Sequence, residues 1–289
     1  MIKTADREGN IIIENSAQDR FLAYMYGHML GRILLKPLVS PAVSHFSGKM
    51  LSCKASCLFI KPFVRARHID LSQCREEKFH SFNDFFTRKL QPGARRIESD
   101  RDCLISPCDG RVCVYEINDT CSFEIKNTKY TLGSLLKNKK LAHIFKGGYA
   151  WVFRLEADDY HRYIYVDQGA KSSNYRIPGI FHTVNPVAND CYPVYKENTR
   201  EYSLLRSENF GTLLMMEVGA MMVGKIENHH GARSVRRGQE KGNFAFGGST
   251  IILLSMEGRI QPDRDILKNS RHGIETRVLL GEQIARRNR

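Results

Sequence analysis

A chain of 289 residues is long enough for one large domain or two small ones, and it can bury a sizeable core. Hydrophobic residues at 42% and charged residues at 26% exclude a disordered chain. The 44 Lys and Arg outnumber the 31 Asp and Glu by 13, which leaves nucleic acid, an anionic membrane and an anionic substrate open as partners.

The N-terminus, Met1 to Glu8, is polar and carries no signal-peptide run. Ser16 is placed to N-cap a helix over roughly 17–35, with Leu22, Met25, Met29 and Ile33 on one face. Phe21 to Val39 is the most apolar early stretch. Gly27, His28, Gly31, Arg32 and Lys36 break it too often for a membrane-spanning helix, and Pro37 ends its helical pattern. Ser40-Pro41 reads as the start of a short second helix that Gly48 closes. A third starts near Ser81, with Phe79, Phe82, Phe86 and Leu90 as its stripe and Gln91-Pro92-Gly93 as its stop. These stripes fit packing on the protein's own core, and the first one or two also fit resting on a membrane surface.

From about residue 101 the pattern turns to short β-like runs. They include Val112–Ile117, Tyr149–Leu155, Tyr163–Val166, Leu213–Val218, Met221–Ile226 and Thr250–Leu254, separated by turn residues such as Asp109-Gly110 and Pro178-Gly179. The predicted fold is α+β: an N-terminal helical, membrane-associating region over 1–100, then a β-rich catalytic core of mostly antiparallel strands over 101–289. None of the cysteines, Cys53, Cys57, Cys74, Cys103, Cys108, Cys113, Cys121 and Cys191, sits in a Cys-x-x-Cys pair. Reduced thiols packed as small apolar groups are expected, in a cytoplasmic compartment, and no metal site.

Three segments carry chemistry together. In Phe246-Gly247-Gly248-Ser249-Thr250 two glycines precede a serine that opens a strand. A serine hydroxyl can attack the preceding carbonyl where the backbone bends to expose it, giving an ester whose elimination and hydrolysis leave a pyruvoyl group. Ser106-Pro107-Cys108-Asp109-Gly110 puts a carboxylate in a turn before a strand. Asp158-Asp159-Tyr160-His161-Arg162 puts a histidine at the start of another. Each alone fits a simpler role: a tight turn, an Asp-Gly turn, a surface histidine. Jointly they supply a nucleophile, an acid and a base.

The order of these segments resembles the phosphatidylserine decarboxylase family. The resemblance covers roughly residues 80–255 and runs through Phe85-Phe86-Thr87-Arg88, Gln91-Pro92-Gly93-Ala94-Arg95, Ser106-Pro107-Cys108-Asp109-Gly110 and Asp159-Tyr160-His161-Arg162. It continues through Thr183-Val184-Asn185-Pro186, Asn198-Thr199-Arg200-Glu201, Glu217-Val218-Gly219-Ala220 and Phe246-Gly247-Gly248-Ser249-Thr250. It implies a proenzyme cut between Gly248 and Ser249. Residues 1–248 would form a β chain, and the remaining 289 − 248 = 41 residues an α chain that begins with a pyruvoyl group made from Ser249. The implied reaction joins the substrate amine to that group as a Schiff base, releases CO2 and yields phosphatidylethanolamine, with the pyruvoyl group as electron sink. His161 matches a family histidine tied to substrate handling, and is the candidate for reprotonating Cα. Ile164 stands where the family often carries a second histidine, the base of a relay with the aspartate and the serine. Asp109 and Ser249 match the other two members. The base is left open between His182, placed first, and His161.

The implied partners are phosphatidylserine and an anionic membrane surface, on the cytoplasmic side of a cell membrane as a peripheral protein. A homo-oligomer of β/α heterodimers is compatible with the resemblance. Arg236-Arg237 and Arg286-Arg287 are available to attract headgroups, at about 1 kcal/mol per well-placed cation. Lys225 and His229-His230 read as exposed strand-end residues. Two other readings stay open: a pyruvoyl-dependent decarboxylase of a soluble amino acid, and a basic binding protein without catalysis. No nucleic-acid motif supports the latter.

Overall fold

The computed structural model describes residues 2–14, 17–125, 128–189, 193–220, 225–245 and 249–288. Two short strands come first, β1 (Ile2–Ala5) and β2 (Ile11–Glu14), inside the segment read as helical. Asp6 closes the turn between them by accepting the backbone N–H groups of Glu8 and Asn10, each at 2.9 Å.

Five helices follow: α1 (Ala17–Gly27), α2 (Met29–Leu38), α3 (Pro41–Leu51), α4 (Ile60–Arg67) and α5 (Phe82–Phe86). The single helix expected over 17–35 is therefore two. His28 between them is extended (φ −109°, ψ 146°). Gly31 explains the fold-back, since a Cβ there would lie 2.4 Å from the Met25 carbonyl oxygen and only glycine lets α2 come so close to α1. The expected stripe breaks at the same point. Leu22 and Met25 are buried, but Met29 (75% exposed) and Ile33 (50%) face outward. The expected cap Ser16 lies outside the described residues.

The other two helix starts are where the sequence puts them. Ser40 accepts the Val43 N–H at 3.4 Å, although α3 runs through Gly48 to Leu51. Ser81 accepts the Asp84 N–H at 3.0 Å. Helix α5 ends at Phe86, so Leu90 belongs to a bridge with Cys74 rather than to the stripe. Phe82, Phe85 and Phe86 form a small separate core with Ile60 of α4.

The strands of the core are β3 (Cys103–Ile105), β4 (Gly110–Glu116), β5 (Ser122–Ile125), β6 (Thr128–Thr131), β7 (Tyr149–Leu155), β8 (Arg162–Ile164), β9 (Gly169–Lys171) and β10 (Tyr175–Ile177). They continue with β11 (Arg200–Ser207), β12 (Gly211–Val218), β13 (Ile226–Asn228), β14 (Arg233–Val235), β15 (Glu240–Phe244), β16 (Ser249–Leu254), β17 (Ile260–Pro262), β18 (Glu275–Val278) and β19 (Gln283–Arg287). Of the expected strand Met221–Ile226, residues 221–224 lie outside the described residues.

One large sheet has the order β14-β9-β11-β12-β16-β7-β4-β18-β1-β2, with β10 also on β11. All its pairings are antiparallel except β1 with β18. Two three-stranded sheets, β13-β15-β8 and β17-β19-β3, and the β5-β6 pair complete an α+β fold. Strand β16 lies in the middle of the large sheet and all six of its residues are buried. That burial accounts for its unbroken apolar run Ile251–Leu254.

Candidate active site

Ser249 opens β16. Its register partner in β7 is Leu155, and the next pair along is Thr250 with Arg154. Side chains alternate between faces, so Ser249 and Ile251 share one face of the large sheet, and Glu217 of β12, opposite Ile251, lies on it too. The small β13-β15-β8 sheet is tied to this face by a buried ion pair. Lys241 Nζ on β15 lies 2.8 Å from Glu217 Oε1, with both side chains fully enclosed. Burial raises the Glu217 carboxyl above its ordinary range against the pull of Lys241.

The topology brings the expected segments together here. β7 pairs with β16, and β8 pairs with β15, both antiparallel. Two of the chain's passages between these sheets therefore fall over 156–161 and between Phe244 and Ser249. These crossings are linked where the Phe244 N–H donates to the His161 carbonyl at 3.0 Å, and the Ala245 N–H donates to the Lys225 carbonyl, just before β13, at 3.0 Å. Gly248, the expected cleavage partner, lies outside the described residues, as do Phe246 and Gly247.

His161 sits at the end of the first crossing and is fully buried. The Phe86 ring packs on its imidazole, centroids 3.9 Å apart and planes at 36°. Its Nδ1 is 2.9 Å from the Asp159 carbonyl oxygen. A carbonyl only accepts, so Nδ1 carries the hydrogen and Nε2 is left as the acceptor. Burial, helped by the Arg88 charge, pushes the imidazole down to about 3, so it is neutral in ordinary buffers. Nε2 has no hydrogen-bond partner among the described residues, and neither does the Oγ of the fully buried Ser249. A buried acceptor and a buried donor left unpaired are costly, and such groups gather where chemistry is done.

An ionic frame holds the first crossing. Arg111 contacts Asp159 at 2.7 Å and Glu156 at 3.0 Å, and Arg154 contacts Glu156 at 2.7 Å. Burial pushes the Asp159 carboxyl up to about 6 although Arg111 opposes it. Arg162 donates to the Thr87 carbonyl at 2.9 Å, which fastens the 85–95 segment over the crossing.

The other two expected residues are placed differently. His182 belongs to the seam between helices and core: its Nδ1 is 3.2 Å from the Tyr26 hydroxyl of α1, and its Nε2 is 3.5 Å from Glu197. Burial lowers its pKa, against the attraction of Glu197. Asp109 is buried at the start of β4, with Arg95 Nε 2.9 Å from Oδ1 and Arg95 Nη2 2.5 Å from Oδ2. No hydrogen bond joins it to either histidine among the described residues. Ile164, in the place of a second histidine, uses its backbone N–H to donate to the Pro107 carbonyl at 2.9 Å.

The roles of Phe86, Asp159 and Arg95 are not visible in the sequence, although all three fall in segments singled out there. Lys225 is exposed, as expected, and pairs with Glu227 at 2.8 Å. Arg237 is a correction. It is not a free surface cation: its side chain is 11% exposed and its Nε donates to the Glu98 carbonyl at 3.0 Å. The described cysteines are free thiols, and Cys191 lies outside the described residues.

Fold and site thus define an α+β protein with a buried serine at the head of a central strand of its large sheet and a neutral histidine at the adjoining crossing. A family model for phosphatidylserine decarboxylase matches residues 82–286. The phosphatidylserine decarboxylase proenzyme 2 of Clostridium acetobutylicum is 43% identical over 96% of each chain. The proenzyme of Desulfitobacterium hafniense is 39% identical over 100% of this chain and 99% of its own. That of Clostridium tetani is 38% identical over 95% and 94%. The chain belongs to the phosphatidylserine decarboxylase family and is an enzyme of the lyase class.

Proposed function

We propose that the chain is a proenzyme that cuts itself between Gly248 and Ser249 and then decarboxylates phosphatidylserine to phosphatidylethanolamine. The observation that carries this reading is the pair of buried atoms without a hydrogen-bond partner among the described residues, Ser249 Oγ and His161 Nε2, at two linked crossings. His161 takes the hydroxyl proton as Ser249 Oγ attacks the carbonyl carbon of residue 248. The C–N bond breaks, leaving an ester and a free amine at 249. Loss of the α-proton expels the residue-248 carboxylate and leaves a dehydroalanine. Water then replaces its nitrogen, released as ammonia, and a pyruvoyl group remains.

His161 is preferred over His182 as base. Its tautomer is fixed by the Asp159 carbonyl and its Nε2 is uncommitted, whereas His182 is engaged by Tyr26 and Glu197. The pyruvoyl group supplies an electron sink for the charge left when CO2 departs. The burial of Ser249 fits such a group, since it excludes water from a developing carbanion. His161, held by Phe86, is also the candidate to return a proton to Cα once its Nε2 has taken one up.

Residues 1–100 are proposed as the membrane-associating region and 101–289 as the catalytic core of a peripheral protein on the cytoplasmic side of the cell membrane. Support comes from large apolar side chains that face outward from the helical region, among them Met29, Leu30, Leu34, Phe46, Leu58 and Phe59. Exposed Lys36, Lys49, Lys54, Lys61 and Arg65 accompany them. No helix among the described residues is long and apolar enough to cross a membrane.

Mass spectrometry of the purified protein tests the cut. A fragment starting at position 249 with a blocked, pyruvoyl-bearing end is expected. An intact 33.1 kDa chain after long incubation would sink the proposal. Release of CO2 from phosphatidylserine vesicles, but not from free serine, separates this reading from a soluble amino acid decarboxylase.

A further inference from the structure

The carboxylate expected to act as relay acid is built into something else. Both Asp109 oxygens are occupied: Oδ1 by Arg95 Nε at 2.9 Å and the Leu280 N–H at 2.8 Å, Oδ2 by Arg95 Nη2 at 2.5 Å and Nε at 3.0 Å. Arg95 is itself held, with Nη1 donating to Gln73 Oε1 at 2.7 Å and to the Ala94 carbonyl at 2.9 Å. Leu280 lies in the turn between β18 and β19, past the proposed cut.

That turn is laced to the same place on both sides. The Ser106 N–H donates to the Glu282 carbonyl at 2.8 Å, the Gly281 N–H to the Ser106 carbonyl at 3.0 Å and the Glu98 N–H to the Gly281 carbonyl at 2.9 Å. Gly281 has φ +85°, and a Cβ on it would lie 2.7 Å from the Arg96 carbonyl oxygen, so the approach is one that only glycine allows. The 106–110 turn in turn receives the Ile164 N–H, three residues after His161. A continuous backbone route therefore runs from the Leu279–Gln283 turn, through Asp109 and its neighbours, to β8, the strand that follows His161. The isoleucine side chain at 164 has no group that could hydrogen-bond to Asp109.

We propose that Arg95 and Asp109 form a clasp that fastens the Leu279–Gln283 turn to the 106–110 turn, and that Asp109 serves self-cleavage as a positioning residue and not as a proton-relay acid. The inference rests on the self-cleavage reading for its kinetic half only. The clasp itself is structural.

The test uses the full-length chain and the variants Arg95→Met, Asp109→Asn and the double variant, each checked for a cooperative melt. Two quantities are followed: the rate at which the small fragment appears, and hydrogen exchange of the Leu280 and Gly281 amides. The clasp predicts that Arg95→Met speeds exchange at these amides by about tenfold, the equivalent of one lost hydrogen bond. It predicts that Arg95→Met and Asp109→Asn slow cleavage to similar extents, with the double variant no slower than the worse single one, as expected for two members of one unit. The proposal is overturned if Asp109→Asn loses cleavage while Arg95→Met cleaves like the parent, which is the pattern of a relay acid. It is also overturned if exchange in the turn is unchanged in Arg95→Met. Failure of the parent to cleave would remove the self-cleavage reading, and the exchange measurement would still decide the clasp.

Discussion

The helical layer and the sheet core distribute their side chains in opposite senses. In the layer that runs from α1 to α4 with the turn before α4, large apolar groups face outward: Met29 is 75% exposed and Leu58, in that turn, 79%. In the core, ionisable groups face inward, with Arg154, Asp159, Glu217 and Lys241 all buried. Outward apolar groups suit contact with a lipid, and inward charges hold a geometry that solvent cannot loosen. The small core of Phe82, Phe85 and Phe86 is where the regions meet, because Phe86 packs on His161 from the layer's side.

The most severe way to break this contrast is inside the core. Ser249→Ala is expected to remain one chain of 33.1 kDa with no detectable decarboxylation, read by gel and CO2 release. His161→Gln is expected to slow self-cleavage by about 10²–10⁴-fold, the usual range for a positioned base. A time course at constant temperature measures it, and normal cleavage in this variant would remove His161 from the mechanism.

A change in the layer should act differently. Leu58→Ser with Phe59→Ser removes two exposed side chains, each worth about 1.5–3 kcal/mol when fully buried in an apolar phase. Vesicle co-sedimentation should weaken about tenfold or more, with cleavage and melting temperature unchanged. Slower cleavage in this variant would mean that the two regions are coupled more tightly than drawn here.

The pH dependence of stability sharpens the comparison further. The folded-state pKa of His161, about 3, is below the ordinary 6.5, so the unfolded chain binds more protons between those values. Stability from this group is fully present above pH 6.5 and is lost as pH falls toward 3, at up to about 1.4 kcal/mol per pH unit. Asp159, raised to about 6, works the other way between about pH 4 and 6. Urea unfolding of Ser249→Ala with and without His161→Gln isolates the histidine, and equal slopes in the two would contradict its buried, neutral state. The smallest effect is expected at the seam. His182→Gln should cost about 1 kcal/mol of stability through its Tyr26 contact and leave the cleavage rate within about threefold.

Much of this arrangement was legible in the sequence, for identifiable reasons. Tyr149–Leu155 is an apolar, β-rich run and is a strand with those bounds. Ser81 was readable as a cap because hydroxyl capping is local chemistry. The split of the first helix was not, because it depends on how closely Gly31 approaches Met25 in space. The hairpin of β1 and β2 escaped notice because β1 pairs with β18, some 270 positions away in the chain. At the site, Ser249, Asp109 and His161 could be named from motif order. Their partners could not, since the Leu280 amide and the Phe86 ring reach them only through the fold. His182 shows the converse: a histidine in a promising motif whose neighbours turn out to be a tyrosine of α1 and a glutamate.

The middle position of β16 has a consequence for the life history of the protein. The segment from Ser249 onward supplies the central strand of the large sheet, a second strand of it in β18 and the middle strand of the β17-β19-β3 sheet. On the proposed cut, the two pieces share one interior and have no separate folded state to return to. Folding must then precede cutting, and the mature protein keeps a shape that it could reach only while still a single chain. Heat or denaturant would erase it irreversibly, so its working lifetime is set by how slowly it opens rather than by an equilibrium.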